Sequence, residues 1–385
     1  MRALTLFSLL LVLTSAPSTA VGQQPAAALP PVPAAPAIPA RAYILLDFNS
    51  GEVLAEKDAD QPMDPASITK LMTAYVVFSE LRKGEMGLDD FVTVSERAWR
   101  TGGSRTFIEV GTRVRVEDLV RGMIIQSGND ASVALAEHTA GTEAAFAELM
   151  TEYARRLGMH NTNFRNATGL PAENHYSSAR DIALLASAII REFPQFYQFY
   201  SEREFTFNNI SQRNRNQMLW RDPSVDGMKT GLTDAAGYCL VSSAQRDGMR
   251  LISVLLGTSS AKIRADATQS LLNWGFRFYE SHRLYAAGQP VTTARLWKGE
   301  LDELDVGLSE DLWVTVPRGR YDLMQASLEL DTPLLAPLSP GDAVGRLQVS
   351  LGERVLADRV LHPLASSGEA SFLRRAMHSV MLWFE

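Results

Sequence analysis

A serine and a lysine three positions apart share one face of a helix, and Ser67-Ile68-Thr69-Lys70 is such a pair. It follows Pro65-Ala66 and leads into the apolar run 71–81, so the serine falls in the first turn of a helix with its lysine one turn on. A serine hydroxyl is a poor nucleophile near neutral pH until a base takes its proton. A lysine can be that base if burial or a second cation lowers its pKa. The helix start contributes backbone N–H groups without intrahelical partners, suited to an oxyanion on a tetrahedral intermediate. The chemistry implied is acyl transfer through a serine ester.

Common residue usage produces a Ser-x-x-Lys about once or twice by chance in a chain of this size. Ser259-Ser260-Ala261-Lys262 is a second instance, placed at a strand-to-helix connection, and its lysine is expected at the surface. Ser67 differs in having company. Ser127-Gly128-Asn129 follows an apolar helical run ending Met123-Ile124-Ile125, and Lys229-Thr230-Gly231 follows Asp226-Gly227-Met228 and precedes a strand hairpin. The trio, in this order, resembles the signature of serine β-lactamases and penicillin-binding proteins.

The likeness extends to Met63-Asp64-Pro65-Ala66, Ser177-Ser178-Ala179-Arg180-Asp181 and Leu272-Asn273-Trp274-Gly275-Phe276, and from about residue 42 onward the chain resembles the low-molecular-mass D-alanyl-D-alanine carboxypeptidases. That resemblance implies an acyl-enzyme on Ser67, formed at the penultimate D-alanine of a peptidoglycan stem peptide, with β-lactams as inhibitors. It makes Lys70 the general base, Ser127 the proton relay to the leaving amine, and Asn129 a holder of the substrate amide. Lys229 would supply positive potential, lower the pKa of Lys70 and attract the substrate carboxylate, which Thr230 and Arg264 would bind. The N–H groups of Ser67 and of Leu232, next to Gly231, would form the oxyanion hole. Leu232 stands where some relatives carry histidine, and the histidine expected near Thr168-Gly169-Leu170 is displaced to His175, which receives no role. Asp181 reads as a helix-start or structural carboxylate rather than a catalytic one.

Three rivals are weighed. A serine β-lactamase requires a carboxylate after Thr168 to activate water; Glu173 is the acid there, without the Glu-x-x-x-Asn pattern. A D,D-endopeptidase cutting cross-links requires tolerance of a larger leaving group. A non-catalytic peptidoglycan binder is opposed by the intact Ser67, Lys70, Ser127, Asn129, Lys229 and Thr230. No His-x-x-x-His or cysteine pair points to a metal, and no cofactor is expected.

The elements positioning these residues follow from periodicity. Residues 42–46 and 52–57 read as strands around Asn49-Ser50-Gly51, and 237–245 and 249–257 repeat the pattern around Arg246-Asp247-Gly248. Helical spacing marks 116–125, 132–140, 143–157, 179–191 and 262–279. The fold class expected is α/β: a β-lactamase/transpeptidase-like catalytic domain, antiparallel sheet flanked by helices, over residues 41–281. From 282 to 364 short alternating runs such as 312–316, 346–351 and 354–361 indicate a small all-β domain. Residues 365–385 end in an amphipathic helix with Phe372, Leu373, Met377, Val380, Trp383 and Phe384 on one half and Arg374, Arg375 and His378 on the other. Such a helix either docks on its own domain or lies in a membrane surface, its arginines meeting anionic headgroups; the second is expected.

Residues 1–22 read as a secretory signal: Met1-Arg2, an apolar run of about ten residues and small residues Ser18-Thr19-Ala20, too short for the roughly 20 of a bilayer span. An Ala/Pro-rich tether, residues 23–40, follows. Export to the periplasm, with peripheral attachment to the inner membrane, is the expected location. The single cysteine, Cys239, allows no internal disulfide, and a net charge of -7 offers no footprint for nucleic acid.

Overall fold

The computed structural model describes residues 31–384. The expected signal segment and residues 23–30 of the tether lie outside the described residues. The rest of the tether is partly packed: Ile38 and Ala40 are buried, and the Trp274 indole donates to the Pro33 carbonyl at 3.1 Å.

The opening hairpin is β1 (Ala42–Asp47) with β2 (Val53–Lys57). Alternation along β1 sends Ala42, Ile44 and Leu46 into the main core and Leu45 to the opposite face. A 3₁₀ turn, Ala66–Thr69, runs directly into α1 (Lys70–Lys83), which ends at Gly84 with φ +79°. The helical layer continues with α2 (Val116–Ile125), α3 (Asn129–Ala140), α4 (Glu143–Arg156) and α5 (Ala179–Glu192). Thr142 and Ser178 cap α4 and α5 by accepting from Ala145 N and Asp181 N. Helix α3 starts three residues before its apolar pattern, because Asn129 and Asp130 suit a first turn although they are poor helix interiors.

A hairpin absent from the expected elements comes next, β3 (Glu204–Phe207) and β4 (Ile210–Arg213). The chain then adds β5 (Val225–Thr233), β6 (Gly237–Arg246) and β7 (Met249–Thr258), followed by α6 (Ala261–Phe278). The antiparallel sheet order is β2-β1-β7-β6-β5, so the opening strand β1 pairs with β7, more than 200 residues on in the sequence. Ile44 lies opposite Val254, Val254 opposite Val241 and Val241 opposite Lys229, which puts the lysine of the third motif on the edge strand. Helix α6 covers the outer face closely at Gly275, where a Cβ would stand 2.7 Å from Leu251 and 2.9 Å from Leu45.

The all-β region comprises β8 (Tyr279–Tyr285), β9 (Pro290–Trp297), β10 (Glu303–Gly307), β11 (Leu312–Pro317), β12 (Met324–Leu330), β13 (Leu334–Leu335), β14 (Gly345–Leu351) and β15 (Arg354–Pro363). Its six-stranded sheet runs β12-β14-β15-β10-β9-β13 over a separate core centred on Leu296, Val306, Val314, Leu347 and Leu361. Polar contacts tie it to the first sheet: Ser50 to Thr315 at 2.6 Å, Ser281 to Asp47 at 3.2 Å, and Arg354 to Glu52.

Helix α7 (Phe372–Met381) docks by its polar side. His378 is buried, accepts from Lys298 N at 2.8 Å and meets the Trp297 ring edge-on. Arg374 pairs with Asp302 and Arg375 with Glu369, which corrects the expectation that these arginines face headgroups: each already has a carboxylate partner within the chain. The apolar half points outward, with Leu373 81% and Trp383 86% exposed.

Candidate active site

Ser67 lies in the 3₁₀ turn at the head of α1, half-buried at the floor of a cleft of about 710 Å³. One turn on, Lys70 is 1% exposed and its Nζ reaches Ser67 Oγ at 3.1 Å. The same ammonium donates to Asn129 Oδ1 at 2.7 Å and to the Thr168 carbonyl at 2.6 Å. Burial, then the charge of Arg215, brings the Lys70 pKa down to about 7, with Asp130 opposing.

Ser127 occupies the bend between α2 and α3 with φ +66°. Its Oγ accepts from Lys229 Nζ at 2.9 Å, and Lys229 also donates to the Thr230 carbonyl at 3.1 Å. Lys229 is held well below the ordinary lysine range by burial first, then by Lys70, Arg215 and Arg264. Arg215 is a further cation near both amines, its charge among the causes that lower each of them. Gly231 lets the edge strand approach the nucleophile's turn, since a Cβ there would stand 3.1 Å from the Pro65 carbonyl and 3.2 Å from Ala66 Cβ.

Ser67, Ser127, Thr230, Gly231, Leu232 and Arg264 all border the cleft. Lys70, Asn129 and Lys229 sit just behind them. Arg264 Nη1 donates to the Cys239 carbonyl at 3.2 Å. The Asn129 amide spans Lys70 and the Gly102 carbonyl, to which its Nδ2 donates at 2.6 Å. Ser260 of the second Ser-x-x-Lys caps α6 by accepting from Ile263 N, and Lys262 pairs at the surface with Asp266, as expected of a decoy.

Several supports were not read from the sequence. Asp130, fully buried, accepts from the N–H groups of Thr106, Phe107 and Ile108 and so fixes one rim of the cleft. The 166–169 loop is fastened to α1 by Thr73 donating to the Ala167 carbonyl at 2.7 Å and Lys70 to that of Thr168. His175 is buried beneath this loop. Its Nδ1 accepts from Arg165 N at 2.9 Å, so the proton belongs on Nε2, which stands 2.8 Å from Thr69 Oγ1. Burial, then Arg165, lowers its pKa to about 4. Asp181 accepts from Asn161 N and Thr162, a structural carboxylate as read. Glu173 is exposed, and no Asp or Glu is among the described residues lining the cleft.

A serine within hydrogen-bond reach of a buried lysine, at the head of a helix in an antiparallel sheet flanked by helices, is the arrangement of a serine hydrolase. Residues 30–260 match the family model described as D-alanyl-D-alanine carboxypeptidase, and 279–369 match that of the penicillin-binding protein 5 C-terminal domain. The chain is 45% identical over 358 residues to the D-alanyl-D-alanine carboxypeptidase DacC of Escherichia coli (strain K12), covering 91% of this chain and 90% of that one. It is similar to the crystal structure of penicillin binding protein 5 from Haemophilus influenzae, with a TM-score of 0.84 and 42% identity over 87% of this chain and 99% of that one. Penicillin binding protein 6B from Escherichia coli gives a TM-score of 0.73 at 35% identity, over 86% and 98% of the two chains. The chain belongs to the D-alanyl-D-alanine carboxypeptidase family.

Proposed function

We propose that the protein removes the terminal D-alanine from peptidoglycan stem peptides through an acyl-enzyme on Ser67. The observation that carries this reading is the pair of contacts Lys70–Ser67 and Lys229–Ser127 around one cleft. Two buried amines this close cannot both keep a proton cheaply. A substrate carboxylate at Thr230 and Arg264 favours the proton on Lys229 and leaves Lys70 free as the base. Lys70 takes the Ser67 proton while Oγ attacks the penultimate carbonyl carbon. The N–H groups of Ser67 and Leu232 receive the oxyanion, a donor pair of which each member is worth about a hundredfold in rate. The C–N bond then breaks, the leaving amine gains its proton through Ser127, and water with Lys70 as base hydrolyses the ester. Asn129 keeps Lys70 aimed at Ser67.

A β-lactam acylates Ser67 by the same route, but its ring-opened amine stays tethered to the acyl group and obstructs water. The β-lactamase alternative lacks support, because a backbone carbonyl, that of Thr168, meets Lys70 from the loop side and Glu173 is exposed. Helix α7, apolar side outward, supports attachment to a membrane surface, and residues 1–22 support export to the periplasm. Catalytic residues 41–281, β residues 282–364 and the helical end 365–385 form the proposed division of the chain.

The test is release of free D-alanine from a pentapeptide muropeptide beside a Ser67→Ala control. Release by the wild type alone is the expected result; adduct formation with penicillin but no release would replace the reading by a cross-link endopeptidase or an acylated sensor.

A further inference from the structure

In the reaction proposed above, Ser127, Thr230 and Arg264 mark the leaving-group end of the cleft, where one terminal D-alanine presents one carboxylate. The cleft continues past them to Arg213, Arg215 and Trp220. Arg215 Nε donates to the Gln126 carbonyl at 2.9 Å, next to Ser127, so this wall belongs to the leaving-group end. Arg213 precedes it by two residues at the end of β4. Between them Asn214 is buried and anchored to the Glu202 carbonyl at 2.9 Å, which fixes the chain from which both arginines project.

The guanidinium of Arg213 has no hydrogen-bond or ion-pair partner among the described residues, and no acid among them lines the cleft. An unpaired arginine in such a wall is built for a planar anion that accepts two N–H donors. Thr230 and Arg264 already serve the carboxylate that every D-alanine terminus carries. We propose that Arg213 binds a second carboxylate on the leaving group, so that the enzyme is tuned to leaving residues bearing two carboxylates, or a carboxylate in an attached peptide branch, beyond D-alanine alone. The proposal rests on the carboxypeptidase reading.

Three N-acylated peptides test it with the full exported chain: one ending D-Ala-D-Ala, one ending D-Ala-D-Glu, and one ending D-Ala-D-Ala with the extra carboxylate moved to the residue before that pair. Released amino acid gives KM and kcat for the wild type, Arg213→Gln and Arg213→Lys, each first checked for native circular dichroism. The expected result is an about tenfold fall in the D-Glu to D-Ala ratio of kcat/KM in Arg213→Gln, carried by KM and partly restored by lysine, as for one charge-assisted contact at a wet site. The third peptide should show no Arg213 dependence. An unchanged ratio with normal D-alanine release, or an Arg213 effect that follows the acyl-side carboxylate, overturns this proposal alone. No release from any peptide by the wild type overturns the carboxypeptidase reading and this proposal together.

Discussion

If Lys70 is the base, the rate at which Ser67 is acylated must follow the fraction of Lys70 that is unprotonated. With a pKa of about 7, that fraction is about 1% at pH 5, about 9% at pH 6 and about 90% at pH 8. The second-order rate of acylation by a chromogenic cephalosporin, followed by stopped flow, should therefore rise about 90-fold from pH 5 to pH 8 and then level. The sign is fixed by the chemistry: protonation fills the lone pair that must accept the serine proton. Arg215→Gln removes the charge that follows burial among the causes, so the Lys70 pKa should rise and the whole limb should move to higher pH. Acylation at pH 7 should fall, and part of the loss should return at pH 9. A limb that is flat between pH 5 and pH 8, or one that keeps climbing past pH 9 in the wild type, would refute the assignment of a depressed Lys70 as base.

Gly169→Ala should cost about 2–5 kcal/mol by thermal unfolding and slow acylation as well. Its φ is +81° and the new Cβ would lie 1.8 Å from the Ala66 carbonyl oxygen, so the Thr168 carbonyl must withdraw from Lys70. His175, neutral in the fold with its pKa at about 4, contributes stability that is present above about pH 6.5 and lost as pH falls through 4, roughly 3 kcal/mol in all. Denaturant titrations should show His175→Gln less acid-sensitive across that window than the wild type. Leu373→Glu with Phe384→Glu should leave the melting temperature within about a degree or two, both sites being exposed, while co-sedimentation with anionic vesicles drops tenfold or more.

What the sequence made legible was local. The strand pairs around Asn-Ser-Gly and Arg-Asp-Gly, and helices such as α2, declare themselves within a dozen residues, and each of the three motifs sits in one turn or strand. The hairpin β3–β4 was missed although Asn208-Asn209, both at positive φ, is a hairpin turn between alternating Phe205 and Phe207 and the next strand. Asp130 shows why other parts stayed hidden. Its carboxylate serves three N–H groups 22 to 24 residues earlier, a partnership fixed by tertiary packing and invisible to any local window. His175 is a similar case, joined to Thr69 across 106 residues. The third partner of Lys70 is a main-chain carbonyl, for which residue identity carries no mark at all.

Helix α7 separates what a pattern can give from what an energy must decide. The helical repeat sorts its residues into two faces correctly, yet it does not say which face meets the protein. Here the polar side is inward because His378 and Arg374 find partners on the β region, at Lys298 N and Asp302, while Arg375 pairs with Glu369 just ahead of the helix. The outward side leaves Phe372, Leu373, Met377, Val380, Trp383 and Phe384 in water. Each large apolar side chain covered would gain about 1.5–3 kcal/mol, a sum far above what two exposed ion pairs contribute. A free globular surface would turn such a helix over. Its retention in this orientation is what a bilayer interface on the outer side would stabilise, and the vesicle experiment measures that missing contribution directly.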